Sequence, residues 1–548
     1  MSLIIEGAKA PHTSLIEAFL NRHKERLESF SFALEIKECQ SKELEAFQLV
    51  AFKSNTTIKA TLSVSSQQSL RWALNALLVF AEGSDETINL EDSPAFATRG
   101  VIEGFYGTPW THQQRLKGIE SFADFGMNSF MLAPKDSPWQ RFDWRRPFDS
   151  TLLKLTSELV ERGKLHGVNI AVCVSPGLSV KYSDQNDVDA VMIRYRQLLS
   201  IGVRDFGLLF DDIPWELQFV EDIKKYKSTA QAQADFSNRV LASLKEVDSS
   251  ARLIVCPMEY CGRGTNPYIR ELGTNASPEI SLMWTGRQIC SEYLDISDAI
   301  VFKDDAGRPP LYWDNYPVND VAMTHELHVG PIQGREAGLE NFSAGLFSNP
   351  MEKFEMSLLP LSTIGDYLWN SKNYNPQESW DRALKLMVKK ESDYTAIRRL
   401  LRNSFGSCLN GNAAPDLGSL LGSTTSAWRT GKPGEAAEIF RKAGEQIMRD
   451  YEILTSDNFS RTDLIEEIKP WLAKYLAGGE TLEQLSMVLA QCTWSKDHGL
   501  AGTQGLSAEV LRIRKRFDQI QSRLMGDGLD LLMGELYAEL KANEANSN

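Results

Sequence analysis

Two adjacent carboxylates, Asp211 and Asp212, follow directly after an apolar run at residues 206–210. Like charges at the end of a buried strand repel each other and are partly desolvated. Both effects favour a proton on one of them near neutral pH, as a general acid needs. The same pair also suits a divalent metal ion, or a structural cap on the next helix. On these two residues alone, all three roles stay open.

Side chains suited to binding a sugar follow several other apolar runs. Aromatic rings cover the apolar face of a sugar, while Asp and Asn bind its hydroxyl groups. The chain has no phosphate-binding GxxxxGK[ST] loop, no HExxH and no GxSxG motif. A carbohydrate site therefore fits best. The candidate sugar-binding residues are Tyr106, Tyr260, Trp284, Trp313, Asn315, Asp320 and Asn349.

The apolar runs recur at the spacing of βα units. A strand, a helix and two loops fill such an interval, and the polar residues fall at the carboxyl end of each run. In a TIM barrel these ends converge on one face, where the active site lies. The pattern predicts a TIM-like (βα)8 barrel with strands near 99–105, 128–132, 169–174, 205–210, 252–256, 281–284, 311–313 and 344–347.

The regions on either side of the barrel differ from it in pattern. Residues 1–94 mix short strands with helical stretches and predict a small α/β domain that ends near the acidic stretch Glu91-Asp92-Ser93-Pro94. The barrel then occupies 95–374. Residues 375–548 predict an α-helical domain. Its helices are expected at 377–390, 434–455, 463–477, 481–492 and 507–540, with 410–425 as a link.

Charge and cysteine content limit the partners and the compartment. The formal net charge is −14, which argues against nucleic acid and anionic membranes as partners. Seven dispersed cysteines without a CxxC pair argue against a disulfide framework and a zinc site. The chain shows no signal-peptide pattern and no membrane-spanning run, so a cytoplasmic location is expected. The oligomeric state is left open.

At this point the motifs resemble those of glycoside hydrolase family 84, the family of O-GlcNAcases and bacterial β-N-acetylglucosaminidases. The resemblance runs in order from residue 96 to about 370. It rests on Arg99-Gly100-Val101-Ile102-Glu103-Gly104-Phe105-Tyr106-Gly107, Ala133-Pro134-Lys135-Asp136, Phe210-Asp211-Asp212-Ile213, Glu259-Tyr260-Cys261-Gly262, Trp284-Thr285-Gly286, Trp313-Asp314-Asn315 and Ser348-Asn349-Pro350.

The resemblance implies a retaining exo-β-N-acetylglucosaminidase that uses substrate-assisted catalysis without a cofactor or a metal. Asp211 would orient the 2-acetamido group, whose oxygen attacks the anomeric carbon to give an oxazoline. Asp212 would protonate the leaving oxygen and later activate water. The implied substrate is a glycoprotein, glycopeptide or glycan with a terminal β-linked GlcNAc.

The resemblance also implies roles for the surrounding residues. Asp320 would accept the O4 and O6 hydroxyls, and Gly104 (through its backbone), Lys135 and Asn349 would bind further hydroxyls. Asn315 would hold a catalytic carboxylate or the acetamido group. The acetamido pocket would be walled by Tyr260, Thr285 and Trp313. Lys135 could instead pair only with Asp136, Trp313 could be barrel packing, and Glu103 is as readily structural as functional.

Three departures from the family pattern flank the expected site: Ser137-Pro138-Trp139, Met258 and Arg287. They bear on leaving-group preference more than on the chemistry. The main alternative is a catalytically silent GlcNAc-binding or glycoprotein-binding module on the same barrel. A metal-dependent barrel hydrolase is a third interpretation, although His325 and His328 lie beyond the seventh run and form no His cluster with the strand ends.

Overall fold

The computed structural model describes residues 3–39, 45–263, 265–496, 499–502 and 504–546. The chain forms two compact units, each made of several segments. The first comprises Met1–Tyr316, Gly334–Glu352 and Ile364–Tyr374. The second comprises Pro317–Gln333, Lys353–Thr363 and Asn375–Asn548. The predicted division into three domains, with boundaries near residues 94 and 374, stays a prediction.

The first unit begins with a five-stranded mixed sheet in the order β1-β2-β4-β3-β5. Alternate residues of β2 and β4 are buried, so one face of the sheet is apolar and packs with the helices in one core. The elements are β1 (Leu3–Glu6), α1 (Ala10–Arg22), α2 (Lys24–Leu27), β2 (Ser31–Glu38), β3 (Phe47–Ser54), β4 (Thr57–Val64), α3 (Gln67–Glu82) and β5 (Thr87–Asp92). The predicted small α/β domain is confirmed.

A closed barrel of eight parallel strands follows in the same unit. It closes where β13 pairs with β6, through Leu346 opposite Arg99. Most of the strand residues are buried, as expected for strands covered on both faces. The strands are β6 (Arg99–Glu103), β7 (Ser129–Leu132), β8 (Asn169–Val174), β9 (Asp205–Leu209), β10 (Arg252–Cys256), β11 (Ser281–Trp284), β12 (Leu311–Asp314) and β13 (Gly345–Ser348). All eight predicted strands are confirmed.

Seven of the eight βα units contain an α-helix. The residues between β12 and β13, all of them described, form only the short 3-10 helices Val321–Met323 and Leu339–Phe342. The α-helices are α4 (His112–Asp124), α5 (Pro138–Arg141), α6 (Ser150–His166), α7 (Gln185–Ser200), α8 (Val220–Lys225), α9 (Thr229–Val247), α10 (Pro267–Asn275), α11 (Ile296–Ala306) and α12 (Phe354–Trp369). The predicted TIM-like barrel is therefore confirmed, with a seventh unit that has no α-helix.

Ion pairs join the N-terminal sheet region to the outside of the barrel within the first unit. Arg22 and the fully buried Arg71 both pair with Asp124 at the end of α4. Glu45 accepts hydrogen bonds from Arg99 at 2.5 Å and from Asn128 at 2.8 Å, where β6 and β7 begin. These contacts lie at the amino ends of the strands, opposite the end where a TIM-barrel active site is expected.

The second unit is mainly helical, as predicted, but its helices differ from the expected ones. It contains α13 (Pro376–Met387), α14 (Glu391–Leu401), α15 (Pro415–Arg429), α16 (Pro433–Thr455), α17 (Thr462–Ala490), α18 (Leu506–Phe517) and α19 (Gly528–Asn546). The short strands β14 (Thr493–Ser495) and β15 (Gly499–Ala501) pair antiparallel. The prediction of 410–425 as a link is wrong, because α15 occupies most of it.

Two predicted helices, 463–477 and 481–492, are in fact the single helix α17. Its Gly478-Gly479 pair looked like a break, since glycine weakens a helix. Here a Cβ on Gly479 would lie 2.8 Å from Ile447, and one on Gly444 would lie 2.9 Å from the Gly479 carbonyl oxygen. The glycines thus let α16 and α17 approach closely. The predicted helix 507–540 is instead two helices, α18 and α19.

Two short segments also belong to the second unit, one between β12 and β13 and one shortly after β13. The Trp380 indole donates to the Val329 carbonyl at 2.6 Å, and the Trp471 indole donates to the His325 carbonyl at 3.1 Å. Glu467 of α17 accepts the backbone N–H groups of Glu355 and Met356 at 3.0 and 2.9 Å, which caps the start of α12.

Within the part of the chain that the structure describes, none of the helices has the length and apolar content needed to cross a membrane.

Candidate active site

A buried ion pair joins the ends of β7 and β9 at the mouth of the barrel. The Lys135 ammonium donates to Oδ2 of Asp211, and both residues are buried, with 3% and 6% exposure. Among the described residues, no group donates to Oδ1 of Asp211. Asp211 is therefore a carboxylate with one oxygen held by a cation and the other able to accept an N–H. Asp136 does not take the place of Asp211 as the partner, and instead accepts the Gly107 N–H at 2.8 Å.

Asp212 is exposed and has a different environment from its neighbour. The hydroxyl of Tyr106 donates to its Oδ2 at 2.7 Å, and the hydroxyl of Tyr260 donates to its Oδ1 at 3.0 Å. Burial, followed by the interaction with Asp212, raises the pKa of both phenols above their usual value. Both tyrosines therefore stay protonated donors near neutral pH. Adjacent in sequence, the two carboxylates differ in burial and in partners.

The backbone of Asp212 is in the left-handed region, with φ of +56°. A non-glycine residue there costs about 1–3 kcal/mol, although Asp and Asn tolerate it best. This conformation belongs to the turn by which the chain leaves β9. Arg141, a residue that the sequence patterns did not indicate, stabilises this conformation. Arg141, at the end of α5, donates to the Asp212 carbonyl at 3.1 Å and to the Tyr106 hydroxyl at 2.8 Å.

A chain of amide and indole hydrogen bonds links the ends of β12, β13 and β6. The Trp313 indole donates to Oδ1 of Asn315 at 2.9 Å, and the Asn349 amide donates to the same oxygen at 2.9 Å. Oδ1 of Asn349 in turn accepts the Gly104 N–H at 3.2 Å. The amide of Asn315 donates to the Ile289 carbonyl at 2.8 Å. Four predicted site residues thus lie in one network.

Trp313 connects this network to the buried ion pair. Its ring belongs to the apolar core of the barrel, and the Lys135 ammonium lies 5.3 Å from its centroid, within cation–π range. A Cβ on Gly104 would lie 2.4 Å from Cζ2 of Trp313, so only glycine fits there. Barrel packing and contact with the site are therefore both properties of Trp313.

Thr285 lies beside Tyr260 at the end of β11. Its N–H donates to the Tyr260 carbonyl at 2.8 Å, and its hydroxyl donates to the Gln288 carbonyl at 2.7 Å. The side chain is buried. Thr285 thus fixes the Tyr260 loop, and a wall for an acetamido group stays a prediction for both residues.

Two predicted residues are not placed with the others. Asp320 belongs to the second unit, where its carbonyl accepts the Met323 N–H at 2.9 Å; its role toward sugar hydroxyls stays a prediction. Glu103 is fully buried and paired with Arg115 at 2.7 Å, and it accepts the Trp110 N–H at 3.0 Å. Of the two interpretations of Glu103, the structural one fits these contacts.

The three departures from the family pattern have separate locations. Ser137, Pro138 and Trp139 form the start of α5, the helix that carries Arg141. Met258 is buried, and its N–H donates to the Tyr268 hydroxyl at 2.9 Å. Arg287 pairs with Asp298. No cluster of three or more His, Cys, Asp or Glu residues suited to a metal ion occurs within the described ranges.

Comparisons with known proteins identify the family of this chain. A family model described as beta-N-acetylglucosaminidase matches residues 99–402, which is more than half of the chain. This chain belongs to that family. The match contains all eight barrel strands and every residue of the two hydrogen-bonded groups described above.

Two curated relatives of this chain are the Protein O-GlcNAcases of Rattus norvegicus and Mus musculus. Each is 28% identical over 307 residues, which cover 54% of this chain and 33% of the relative. The matched region thus spans about a third of the length of these relatives.

Solved structures resemble the chain over more of its length. A mutant of the Thermobaculum terrenum O-GlcNAc hydrolase is 30% identical, with a TM-score of 0.75 over 83% of this chain and 97% of that chain. CpGH84B is 22% identical, with a TM-score of 0.80 over 98% of this chain and 96% of that one. The second likeness extends the shared fold to nearly the whole chain.

Proposed function

We propose that this member of the β-N-acetylglucosaminidase family is a retaining exo-β-N-acetylglucosaminidase of the O-GlcNAcase type. It would release terminal β-linked GlcNAc from a glycoprotein, glycopeptide or glycan. The observation that carries the proposal is the unequal environment of Asp211 and Asp212. One carboxylate is buried on Lys135, and the other is exposed between two phenol donors.

In the first step, the carbonyl oxygen of the substrate's 2-acetamido group attacks the anomeric carbon. Asp211 accepts the acetamido N–H through its unpartnered oxygen, which orients the amide and increases the electron density on its oxygen. The bond from the anomeric carbon to the leaving oxygen breaks, and Asp212 transfers its proton to that oxygen. The products of this step are the free aglycone and an oxazoline.

In the second step, Asp212, now ionised, takes a proton from a water molecule that attacks the anomeric carbon. The bond to the acetamido oxygen breaks and restores the 2-acetamido group. Two inversions return the β configuration, and no covalent bond to the enzyme forms, so this is one of the exceptions to the usual two-carboxylate scheme. Asp212 recovers its proton for the next cycle.

The proposal is tested with nitrophenyl β-N-acetylglucosaminide and the Asp211→Asn and Asp212→Asn variants. Each variant is expected to lose about 100-fold or more in kcat. Each is also expected to retain measurable binding of a thiazoline that mimics the oxazoline. Asp189→Asn, an exposed position on α7, is the matched control. Full turnover by Asp212→Asn would contradict the assignment.

Two competing functions predict different results in the same assay. If the protein is a silent GlcNAc-binding module, the unmodified protein would bind the thiazoline and cleave no substrate. A metal-dependent hydrolase would lose activity in EDTA, whereas substrate-assisted cleavage is expected to be unaffected by EDTA and blocked by the thiazoline.

A further inference from the structure

Arg141 contacts Asp212 without touching its carboxylate. Nη2 donates to the Asp212 backbone carbonyl at 3.1 Å. Nη1 donates to the Tyr106 hydroxyl at 2.8 Å, and that hydroxyl donates to Oδ2 of Asp212 at 2.7 Å. One guanidinium therefore holds both ends of the residue, the main chain directly and the carboxylate through a phenol.

Within the described part of the chain, Arg141 makes these two hydrogen bonds, its Cζ lies 5.9 Å from the centroid of the Tyr106 ring, and its Nε has no hydrogen-bond partner. The residue is buried, and it forms no ion pair with any described carboxylate. Arg145, four residues on, instead pairs with Asp187 at 2.6 Å, as a structural arginine does. A buried guanidinium is costly to desolvate and normally has a carboxylate partner. Arg141 instead donates to the Asp212 carbonyl and to the Tyr106 hydroxyl.

The helix that carries Arg141 is fixed to the neighbouring strand end. The Gln140 amide donates to the Ser175 hydroxyl at 3.1 Å, and the Ser175 N–H donates to the Gln140 carbonyl at 2.9 Å. From α7, Arg194 donates to the Trp139 carbonyl at 2.7 Å. The guanidinium is thus attached to a short helix whose own position is set on both sides.

The left-handed backbone of Asp212 makes this contact consequential. With φ at +56°, the residue is in a region where the chain does not stay unless its surroundings hold it. A change in that backbone would redirect the side chain, and a small misplacement of a catalytic group reduces the rate even when substrate still binds.

We propose that Arg141 is a positioning residue for proton transfer by Asp212, an inference that rests on the proposed function of Asp212. It fixes the left-handed backbone through the carbonyl and aims the carboxylate through Tyr106. Arg141 itself does not contact the substrate in this role. Its loss therefore weakens leaving-group protonation more than it weakens sugar binding.

The experiment compares Arg141→Gln, Arg141→Lys and Asp212→Asn on aryl β-N-acetylglucosaminides whose leaving groups range from phenol to dinitrophenol. A dinitrophenolate departs without a proton, so it reports the steps that need no acid. Arg141→Gln is expected to lose about 10- to 100-fold in kcat/KM on the phenyl substrate and less than about 3-fold in kcat/KM on the dinitrophenyl substrate, because kcat/KM covers only the steps up to departure of the leaving group. Arg141→Lys, with one ammonium for two acceptors, is expected to lie between Arg141→Gln and the unmodified protein.

Thiazoline affinity and the temperature of unfolding are measured for each variant. Both are expected to change little in Arg141→Gln. Arg146→Gln is the matched control, because Arg146 lies five residues after Arg141, outside α5, and is exposed; it should retain the activity of the unmodified protein on every substrate.

Two results would overturn the inference. One is unchanged kcat/KM on the phenyl substrate in Arg141→Gln. The other is an equal loss on all leaving groups together with a loss of thiazoline affinity, which would make Arg141 a purely structural residue. Asp212→Asn separates this failure from failure of the proposed function: if that variant shows no leaving-group dependence, the acid assignment itself is wrong.

Discussion

Lys135 has two neighbours of opposite character, the Asp211 carboxylate and the Trp313 ring. Its ammonium is buried, so the charge of each member of the ion pair is compensated mainly by the other. Removing one partner of a buried pair leaves an uncompensated charge, which costs more than the pair contributes. Lys135 thus affects both stability and the Asp211 carboxylate, for which we propose a role in orienting the substrate.

We expect Lys135→Met to lower the free energy of unfolding by about 3 kcal/mol and to reduce kcat/KM by about 100-fold or more. The reason is that the Asp211 carboxylate would then be buried without the cation that compensates its charge. Urea unfolding and nitrophenol release measure the two effects. Lys154→Met, at an exposed position of α6, should change neither quantity. Unaltered stability of Lys135→Met would show that Lys135 is not the main partner of Asp211.

Several residue identities were predictable, whereas their conformations were not. Asp211, Asp212 and Lys135 stand directly after apolar runs, and a barrel brings such positions together. The left-handed φ of Asp212 leaves no pattern in the sequence, because Asp is common in loops of every conformation. Arg141 was missed since it lies in a short helix, six residues past Lys135 and away from any strand end. Its place in the same connection as Lys135, between β7 and α6, was the available signal.

Among the elements, the end of β6 is closely confined by its neighbours. The Gly104 backbone faces the Trp313 ring of β12, and the two are also joined through Asn349 and Asn315. The close approach of strand to ring places the amide network next to the barrel core.

Gly104→Ala is therefore expected to displace the Trp313 ring, because its Cβ would lie 2.4 Å from that ring. Overpacking of this kind costs about 1–3 kcal/mol of stability. A shift of the ring would also increase KM, since it moves the network with it. Tryptophan fluorescence, urea unfolding and steady-state kinetics detect the three changes. Gly262→Ala makes a useful comparison, since nothing lies within 4 Å of a Cβ there, although its φ of +133° adds backbone strain. Native kinetics in Gly104→Ala would contradict a fixed position of Trp313.

The start of α12 has a titratable cap. Burial, partly offset by the two backbone N–H bonds from Glu355 and Met356, raises the pKa of Glu467 to about 7. The side chains of Glu355 and Lys353 also act on it, the first raising and the second lowering its pKa. The pKa is thus higher in the folded chain than the usual 4.5, and the folded state binds the proton more tightly than the unfolded chain does.

The sign of the resulting pH dependence follows from that difference. The stabilisation is fully present below about pH 4.5 and is lost as the pH rises through about 7. Its upper limit is about 3 kcal/mol, since a tenfold change in proton affinity is worth about 1.4 kcal/mol. Glu467→Gln should remove this contribution and flatten the curve of unfolding free energy against pH between those values. Urea unfolding at a series of pH values measures it, and an unchanged slope in Glu467→Gln would assign the dependence to other groups.

Helix and strand positions were predictable to different degrees. The eight barrel strands followed from apolar runs of regular spacing. The fusion of two predicted helices into α17 did not, because Gly478-Gly479 reads as a break unless the close partner α16 is known. Similarly, α15 begins with Pro415 and contains many Ser, Thr and Gly residues, so its local preference is weak and its burial of Leu417, Leu421 and Trp428 decides the outcome.

In the whole molecule, the helical second unit is not a simple C-terminal appendage of the chain. It includes Pro317–Gln333 and Lys353–Thr363 together with residues 375–548. Contacts within it join residues far apart in sequence, such as Arg523 with Glu326 at 2.6 Å and Arg461 with Glu355 at 3.0 Å. A sequence reading divides chains at linkers, so it could not show this interleaving.

A chain that ends at Tyr374 is therefore expected to fold poorly, even though the predicted domain boundary lies there. It would leave the indole-bonded carbonyls of His325 and Val329 and the N-terminus of α12 without their partners. Aggregation on gel filtration and no thiazoline binding are the expected results. A monomeric product with cooperative thermal unfolding and native thiazoline affinity would show that 1–374 is self-sufficient.

The Arg523–Glu326 contact spans 197 residues of sequence, and this has a consequence for biosynthesis. At about 5–20 residues per second, a ribosome that has made Glu326 needs roughly 10–40 s more to make its partner. During that interval the segment 317–333 has been synthesised, yet its contacts with Arg523 cannot form. Nascent chains stalled shortly before residue 523 should accordingly be more sensitive to protease in this segment, and bind chaperones more, than chains released at full length.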